Sequence, residues 1–180
     1  MILEMAREEI HGREDLQQVI EGAIRDSRCL VLLEDEPNLR KRLEELLGQE
    51  AVLVPLNEQS SRDISRRLSG ELQRQDRTPN VLSVMFVGCS GVVGEVEQAS
   101  TSHVRGYDRW VEGATRVERQ LQESKERFVA SFESLLEQLA QDGDLVKDRL
   151  RIQAVFYHAA SGVFLDYDLK SSEFRPLLAN

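Results

Sequence analysis

The first half of the chain contains three short, mainly apolar runs, and amphipathic stretches separate them. The runs, which predict buried β-strands, are Cys29–Leu33, residues 51–54 and residues 81–87. Between them, leucine and isoleucine recur every three or four residues. This spacing predicts a helix begun by Pro37 and stopped by Gly48, and a second helix capped by Ser60 or Ser61. Alternating strands and helices predict right-handed crossovers and a parallel sheet.

The first 28 residues also show apolar positions at helical spacing. These positions are Ile10, Leu16, Val19, Ile20 and Ala23. We therefore predict an N-terminal helical extension over residues 1–28, followed by a single α/β domain over residues 29–180.

A longer amphipathic stretch begins near Tyr107. Its apolar positions are Trp110, Ala114, Val117, Leu121, Phe128, Phe132, Leu135 and Leu139. Ser124 interrupts this stripe, so the pattern predicts either one long helix or two helices with a kink near Ser124. We expect the stripe to pack against the protein's own sheet, with a dimer contact as the alternative.

The C-terminal residues predict antiparallel strands. Residues 150–157 and 163–168 flank a short loop that ends in Gly162, which is typical of a β-hairpin. Residues 174–177 predict a last short strand. The predicted fold class is therefore α/β, with a mostly parallel central sheet flanked by helices and a C-terminal antiparallel hairpin.

Composition narrows the possible partners. The formal net charge is −9, whereas nucleic-acid binding needs a basic footprint, so we expect no nucleic-acid partner. No apolar run reaches the roughly 18 residues of a membrane span, so we expect no membrane partner. The N-terminus is too acidic for a signal peptide, and two cysteines do not form a disulfide framework. We therefore expect a cytoplasmic protein.

The third apolar run ends in the sequence Gly88-Cys89-Ser90-Gly91. Ligands of open α/β sheets bind beyond the carboxyl ends of the parallel strands, so chemistry is expected at this point. We predict a turn here that opens a helix. This turn is either purely structural or a ligand site whose backbone binds a small anion through Gly88, Cys89, Ser90 and Gly91. Asp35, from the acidic turn after the first strand, is the further candidate ligand-binding residue.

The thiol of Cys89 has two possible states. At a helix N-terminus it would gain thiolate character, whereas burial under apolar neighbours would keep it neutral and inert. We expect the buried state, because no Lys, Arg or His lies within five positions of Cys89. Glu34, Asp35 and Glu36 would share this edge of a parallel sheet, either as a solvated acidic turn or as an acid–base pair.

Residues 149–168 predict a strand, a turn with glycine and an apolar second strand. This segment resembles the C-terminal end of the β-class carbonic anhydrases. The predicted helix at residues 127–140 resembles the family helix that precedes this end, and Cys89 falls where the family has a Cys-Gly segment. The resemblance covers residues 28–177 and is most specific at the hairpin. It implies the family's α/β fold and a homodimer.

The zinc motifs of that family are incomplete in this chain. The first motif, Cys-x-Asp-x-Arg, falls on Leu33, Asp35 and Pro37, and the second, His-x-x-Cys, falls on Phe86 and Cys89. One of three zinc ligands remains, and zinc catalysis needs three protein ligands and an open position for water. We therefore predict a degenerate member of the family with no metal and no cofactor.

The expected function is that of a pseudoenzyme, a non-catalytic carbonic-anhydrase-like protein with an assembly, regulatory or small-anion-binding role. The alternative is a cysteine- or anion-dependent enzyme acting at Cys89, so enzymatic activity stays open although a non-enzymatic role is favoured. We expect a homodimer through apolar N-terminal residues, including Ile2, Leu3 and Ile10, and the long helical stripe. The acidic turn also resembles the opening of receiver domains, but the third run lacks the aspartate that such domains phosphorylate.

Overall fold

The computed structural model of the protein describes residues 18–26, 28–34, 36–56, 60–74, 81–90, 105–141 and 148–177. The strands are β1 Cys29–Leu33, β2 Ala51–Pro55, β3 Leu82–Cys89, β4 Leu150–His158, β5 Val163–Asp168 and β6 Glu173–Pro176. The helices are α1 at residues 18–25, α2 Pro37–Leu47, α3 Ser61–Arg74 and α4 Arg105–Gln141. A short 3-10 turn, Gly48–Glu50, links α2 to β2.

The strands form one sheet in the order β2-β1-β3-β4-β5-β6. The strands β1 to β4 run parallel, whereas β5 and β6 are antiparallel to their neighbours. This architecture confirms the predicted fold class. The parallel part follows from helical crossovers between buried strands, and the antiparallel part follows from two short turns.

Local signals set the ends of α2 and α3. Pro37 occupies the first turn of α2, and Gly48 ends that helix with φ 56°, a left-handed value that favours glycine. Ser60 caps α3, because its hydroxyl accepts a hydrogen bond from the Asp63 backbone N–H at 3.3 Å and donates to the Asp63 carboxylate at 2.8 Å. Both predicted helices are confirmed.

The long stripe forms a single helix, α4, so the alternative of two separate helices is wrong. Ser124 fits inside this helix because its hydroxyl donates to the carbonyl of Gln120 at 2.8 Å. Phe128, Phe132 and Leu135 are buried in the same cluster as strand residues, which confirms packing against the protein's own sheet. The side chains of Trp110 and Ala114 lie outside the described residues.

The sheet has two covered faces. The first, which we call the α4 face, carries α1, α3 and α4 over Leu32, Phe86 and Phe156. The second, which we call the α2 face, carries α2 over Leu33, Val87 and Cys89. Residues alternate between these faces along each strand, as the pleat requires.

The helix α1 contributes to the core of the α4 face through Ile20, Ala23 and Ile24. Ile10 and Leu16, which were predicted to continue this helix, lie outside the described residues. The division of the chain at residue 28 stays a prediction. Within the described residues, no helix combines the length and the apolar character needed to cross a bilayer.

Strand β3 differs from its predicted form. It begins at Leu82 and continues through Gly88 and Cys89, which we expected to form a turn that opens a helix. That expectation is wrong for these two residues, because β4 pairs with them to the end: Gly88 lies opposite Phe156, and Cys89 lies opposite Tyr157. The hairpin and β6 match their predicted positions to within one residue.

Candidate functional site

The carboxyl ends of β1 to β4 meet at one edge of the sheet, because these strands are parallel. At this carboxyl edge the Glu34 backbone N–H donates to the Val87 carbonyl at 3.0 Å, which carries the pairing one residue beyond β1. Ser90 N–H likewise donates to the Tyr157 carbonyl at 3.0 Å. The edge therefore places acidic Glu34 beside the end of β3, which carries the cysteine.

Glu34 binds the backbone of Cys89 directly. The Cys89 N–H donates to Glu34 Oε2 at 3.0 Å, across 55 residues of sequence. The cysteine side chain lies in the core of the α2 face and is 8% exposed. The prediction that the acids after β1 share an edge with Cys89 is thus confirmed for Glu34. Asp35, the predicted anion ligand from the same turn, lies outside the described residues.

The Cys89 thiol is held in its protonated form. Burial raises the pKa of this thiol to about 12, and the charge of Glu34, the charge of Glu36 and a hydrogen bond from the thiol to Glu34 act in the same direction. At that pKa, about one thiol in 10⁵ is ionised at pH 7, whereas a reactive cysteine needs a pKa below its ordinary value. This supports the buried, inert state that the sequence predicted.

Glu36 has a structural task of its own. It is the N-cap of α2, where its carboxylate accepts from the Leu39 backbone N–H and from Asn38 Nδ2. This capping role describes Glu36 better than the acid–base pair that the sequence left open. Its negative charge still raises the pKa of the nearby Cys89 thiol.

Gly88 serves packing on the α4 face. A Cβ atom added at this position would collide with Cδ2 of Phe128 and would lie 3.1 Å from two further atoms of that ring. Glycine therefore lets the Phe128 ring lie directly against β3. The sequence reasoning attributed this glycine to the close approach of an anion, whereas an aromatic ring occupies the space in the structure.

Ser90 joins β3 to the turn after β4. Its hydroxyl accepts a hydrogen bond from the Ala159 backbone N–H at 2.9 Å, and its side chain is buried. The Ser90 backbone N–H, which the predicted anion site would use, donates instead to the Tyr157 carbonyl. Gly91, the last residue of the predicted anion site, lies outside the described residues.

The positions that match the family's zinc ligands do not converge. Leu33 and Cys89 belong to the core of the α2 face, whereas Phe86 lies on the α4 face, with ring centroids 5.5 Å from Phe128 and 5.7 Å from Phe132. Residues three apart on a continuous strand point to opposite faces, and β3 is continuous from Phe86 to Cys89. In the part of the chain that the structure describes, no three His, Cys, Asp or Glu residues are grouped to hold a metal ion.

The sequence reasoning missed one pair at the carboxyl edge. His158 Nδ1 and the Ser161 hydroxyl form a hydrogen bond across the β4–β5 turn. The spacing of a histidine and a serine three residues apart in a predicted hairpin loop could have indicated this pair. A histidine–serine pair suggests nucleophilic catalysis, which needs backbone N–H donors to stabilise an oxyanion. The N–H groups of Ser161 and Gly162 are not available for this, because both donate to the His158 carbonyl, at 3.2 Å and 2.9 Å.

Comparisons with known proteins give one structural likeness. No family model matches this chain, and no curated protein matches it. Among solved structures, the chain is similar to the β-carbonic anhydrase CcaA, with 16% identity over 83% of this chain and 84% of that chain, at a TM-score of 0.38. A likeness at this TM-score does not establish a function, which has to be inferred from the residues themselves.

Proposed function

We propose that this protein is a non-catalytic, carbonic-anhydrase-like pseudoenzyme with a role in assembly or regulation in the cytoplasm. The motif resemblance at Cys89 and at the C-terminal hairpin supports the family, and the replacement of zinc-ligand positions by Leu33 and Phe86 supports the loss of catalysis. The observation that carries the proposal is the contact of the Glu34 carboxylate with Cys89 at the carboxyl edge.

This contact closes the site to two kinds of chemistry. A nucleophilic thiol needs a neighbouring positive charge or base, whereas Cys89 faces the carboxylates of Glu34 and Glu36, which favour the neutral thiol. An incoming anion would have to displace Glu34 from the Cys89 N–H and would meet the same negative charges. Among the roles that the sequence suggested, small-anion binding and cysteine-dependent catalysis are therefore disfavoured relative to assembly or regulation.

Thiol labelling at neutral pH tests this proposal. In a Cys29→Ser background, Cys89 should react slowly in the folded protein and rapidly after denaturation. Glu34→Gln removes the charge and keeps a carbonyl acceptor, so it should accelerate labelling several-fold. Glu50→Gln is the matched control, because Glu50 is exposed next to the start of β2, at the opposite edge of the sheet, and should leave the rate unchanged.

Rapid stoichiometric labelling of folded Cys89 would overturn the proposal and favour the cysteine-dependent enzyme. Metal content provides a second, independent measurement. We expect no stoichiometric zinc after a chelator wash and no CO₂ hydration activity, and retained stoichiometric zinc would contradict the loss of the metal site.

The assembly role leads to an expected homodimer. The α4 stripe extends in sequence beyond the residues that pack on the sheet, and Val117 is half-buried without belonging to the core cluster. Contiguous apolar surface on a protein often marks a site of association with another chain. Sedimentation should give twice the chain mass of 20.5 kDa at micromolar concentration, and a stable monomer would contradict this part of the proposal.

A further inference from the structure

An open groove of about 640 Å³ lies between α4 and the turn that joins β5 to β6. Its volume is within the roughly 300–1,000 Å³ range of small-molecule sites. The groove is on the α4 face and contains none of the residues discussed at the carboxyl edge. Its chemistry comes from Lys125, Glu126, Glu133, Tyr167, Glu173 and Phe174.

Two aromatic rings contribute to the apolar part of the groove, together with Val129 and Ala130. Tyr167 and Phe174 lie on adjacent strands with ring centroids 5.0 Å apart and planes tilted by 44°. Phe132 packs against Tyr167 from the core side, with centroids 6.5 Å apart and planes nearly perpendicular. The aromatic surface is therefore held in place from behind, as a site for a planar ligand requires.

Tyr167 carries a polar atom that is not hydrogen-bonded to any described residue. The residue lines the groove and is 7% exposed, and among the described residues no hydrogen bond is made to or from its hydroxyl. Fully inaccessible side-chain atoms without a hydrogen-bond partner occur elsewhere among the described residues, for example Ser69 Oγ. The Tyr167 hydroxyl likewise lacks a described partner but is not one of these atoms, so its oxygen is still accessible. A buried phenol usually finds a partner, and here a molecule in the groove would supply it.

The charges around the groove favour a cation. Lys125 Nζ lies 5.1 Å from the centroid of Phe174, which shows that a positive charge is accommodated against this ring. Three carboxylates, from Glu126, Glu133 and Glu173, outnumber that one ammonium. Glu126 accepts from Gln122, and Glu173 lies 3.6 Å from Arg175, whereas Glu133 makes no ion pair or hydrogen bond with any described residue.

We propose that this groove binds a small organic cation with a planar, phenol-like body. The body packs on Tyr167 and Phe174, a polar group on it bonds the Tyr167 hydroxyl, and the ammonium is attracted by Glu133 and its neighbouring carboxylates. Lys125 lowers the affinity for such a ligand, because it repels the ammonium and because its Nζ lies over the Phe174 ring on which the ligand packs. The proposal does not depend on whether Cys89 at the carboxyl edge is reactive or inert.

Three probes that share a phenol ring and differ in charge separate the effect of charge from that of the aromatic body. Tyramine carries an ammonium, 4-ethylphenol is neutral and 3-(4-hydroxyphenyl)propionate is an anion. Titration calorimetry on the full chain should give the order tyramine, then 4-ethylphenol, then the anion, with about a tenfold gap between the cation and the neutral probe, equivalent to about 1.4 kcal/mol. Amide shifts near Lys125, Glu133 and Phe174 should locate the bound probe. Added salt should weaken tyramine, leave 4-ethylphenol unchanged and not weaken the anion, because salt screens attraction and repulsion alike.

Variants assign the site to named residues. Glu133→Gln should weaken tyramine several-fold and leave 4-ethylphenol unchanged, whereas Lys125→Met should strengthen tyramine. Tyr167→Phe should weaken both tyramine and 4-ethylphenol. Glu137→Gln is the matched control, because Glu137 is exposed on the same helix one turn beyond Glu133 and does not line the groove.

Three outcomes would overturn the proposal. They are equal binding of the three probes, binding that Glu133→Gln leaves intact, and no binding up to millimolar concentration. Tighter binding of the anion would show that Lys125 rather than the carboxylates governs the groove, and this would also overturn it. None of these results would affect the proposed loss of catalysis, which is measured at Cys89 and by metal content.

Discussion

The two faces of the central sheet have different compositions and different consequences. The α4 face is thick and aromatic, and three helices cover a ring cluster that includes Phe86, Phe128, Phe132 and Phe156. The α2 face is thinner among the described elements, with one helix over aliphatic residues and Cys89. Most of the buried apolar volume is thus on the face without the candidate thiol.

Two adjacent residues of β3 show how the two faces give neighbouring positions different roles. Gly88 points to the α4 face and makes room for an aromatic ring, whereas Cys89 points to the α2 face and is closed off by Glu34. A motif of four small residues therefore divides into two unrelated tasks. The alternation of the strand, rather than the local composition, decides which task each residue has.

The largest effect is expected from truncation on the aromatic face. Phe128→Ala should reduce the free energy of unfolding by about 3–5 kcal/mol, because it leaves a cavity between β3 and α4. Leu43→Ala, in α2, should cost less, because the α2 face is a thinner layer that collapses more readily. Urea denaturation of both variants measures the difference, and a greater cost for Leu43→Ala would reverse the ranking of the two faces.

Overpacking at Gly88 should give the next largest effect. Gly88→Ala places a methyl group against the Phe128 ring and should reduce the free energy of unfolding by about 1–3 kcal/mol. Phe128→Leu in the same chain should recover part of this loss, because it removes the colliding ring atoms. Gly70→Ala is the control: the added Cβ meets open space inside a helix, so it should stabilise by about 0.5–1 kcal/mol. A neutral Gly88→Ala would show that Phe128 moves aside at no cost.

A smaller, pH-dependent effect is expected on the α2 face. The folded pKa of Cys89, about 12, lies above its ordinary value of 9.0, so the stability that this thiol contributes is present below pH 9 and is lost as the pH rises towards 12. The stability difference between the parent chain and Cys89→Ser should therefore change across this window and stay flat below it. Thiolate absorbance in a Cys29→Ser background reports the ionisation directly, and a midpoint near 8.5 would refute the closed site.

The smallest expected effect concerns zinc. Leu33→Cys combined with Phe86→His restores the residue types of the family's ligands, yet zinc affinity should stay close to that of the parent chain, because position 86 faces α4 and position 89 faces α2. Elemental analysis after a chelator wash provides the measurement. Stoichiometric zinc in this variant would show that β3 ends before Cys89 in solution.

Much of the fold was predictable from local patterns. The run Cys29–Leu33 is a buried strand because it is apolar throughout, and α2 begins at Pro37 and ends at Gly48 because these residues suit the helix termini. The C-terminal hairpin follows from its short loop between apolar strands. In each case the cause lies within a few residues of the effect.

The candidate site was only partly predictable. Acidic residues after β1 and a cysteine after the third apolar run indicated which edge to inspect, and a buried thiol was expected. The sequence of small residues at the end of β3 favoured a turn, but backbone pairing with β4 overrides that preference and continues the strand through Gly88 and Cys89. The Cys89 N–H is satisfied by the Glu34 carboxylate.

The sequence alone therefore determined the α/β class, the helix boundaries at Pro37 and Gly48, and the absence of a full set of zinc-ligand residues in its motif positions. Tertiary structure alone decided that Glu34 closes on Cys89, that Gly88 accommodates Phe128, and that Tyr167 and Glu133 share a groove. The physical reason is distance along the chain. Periodicity and capping act over a few residues, whereas these contacts join residues that only the pairing of strands and the packing of α4 bring together.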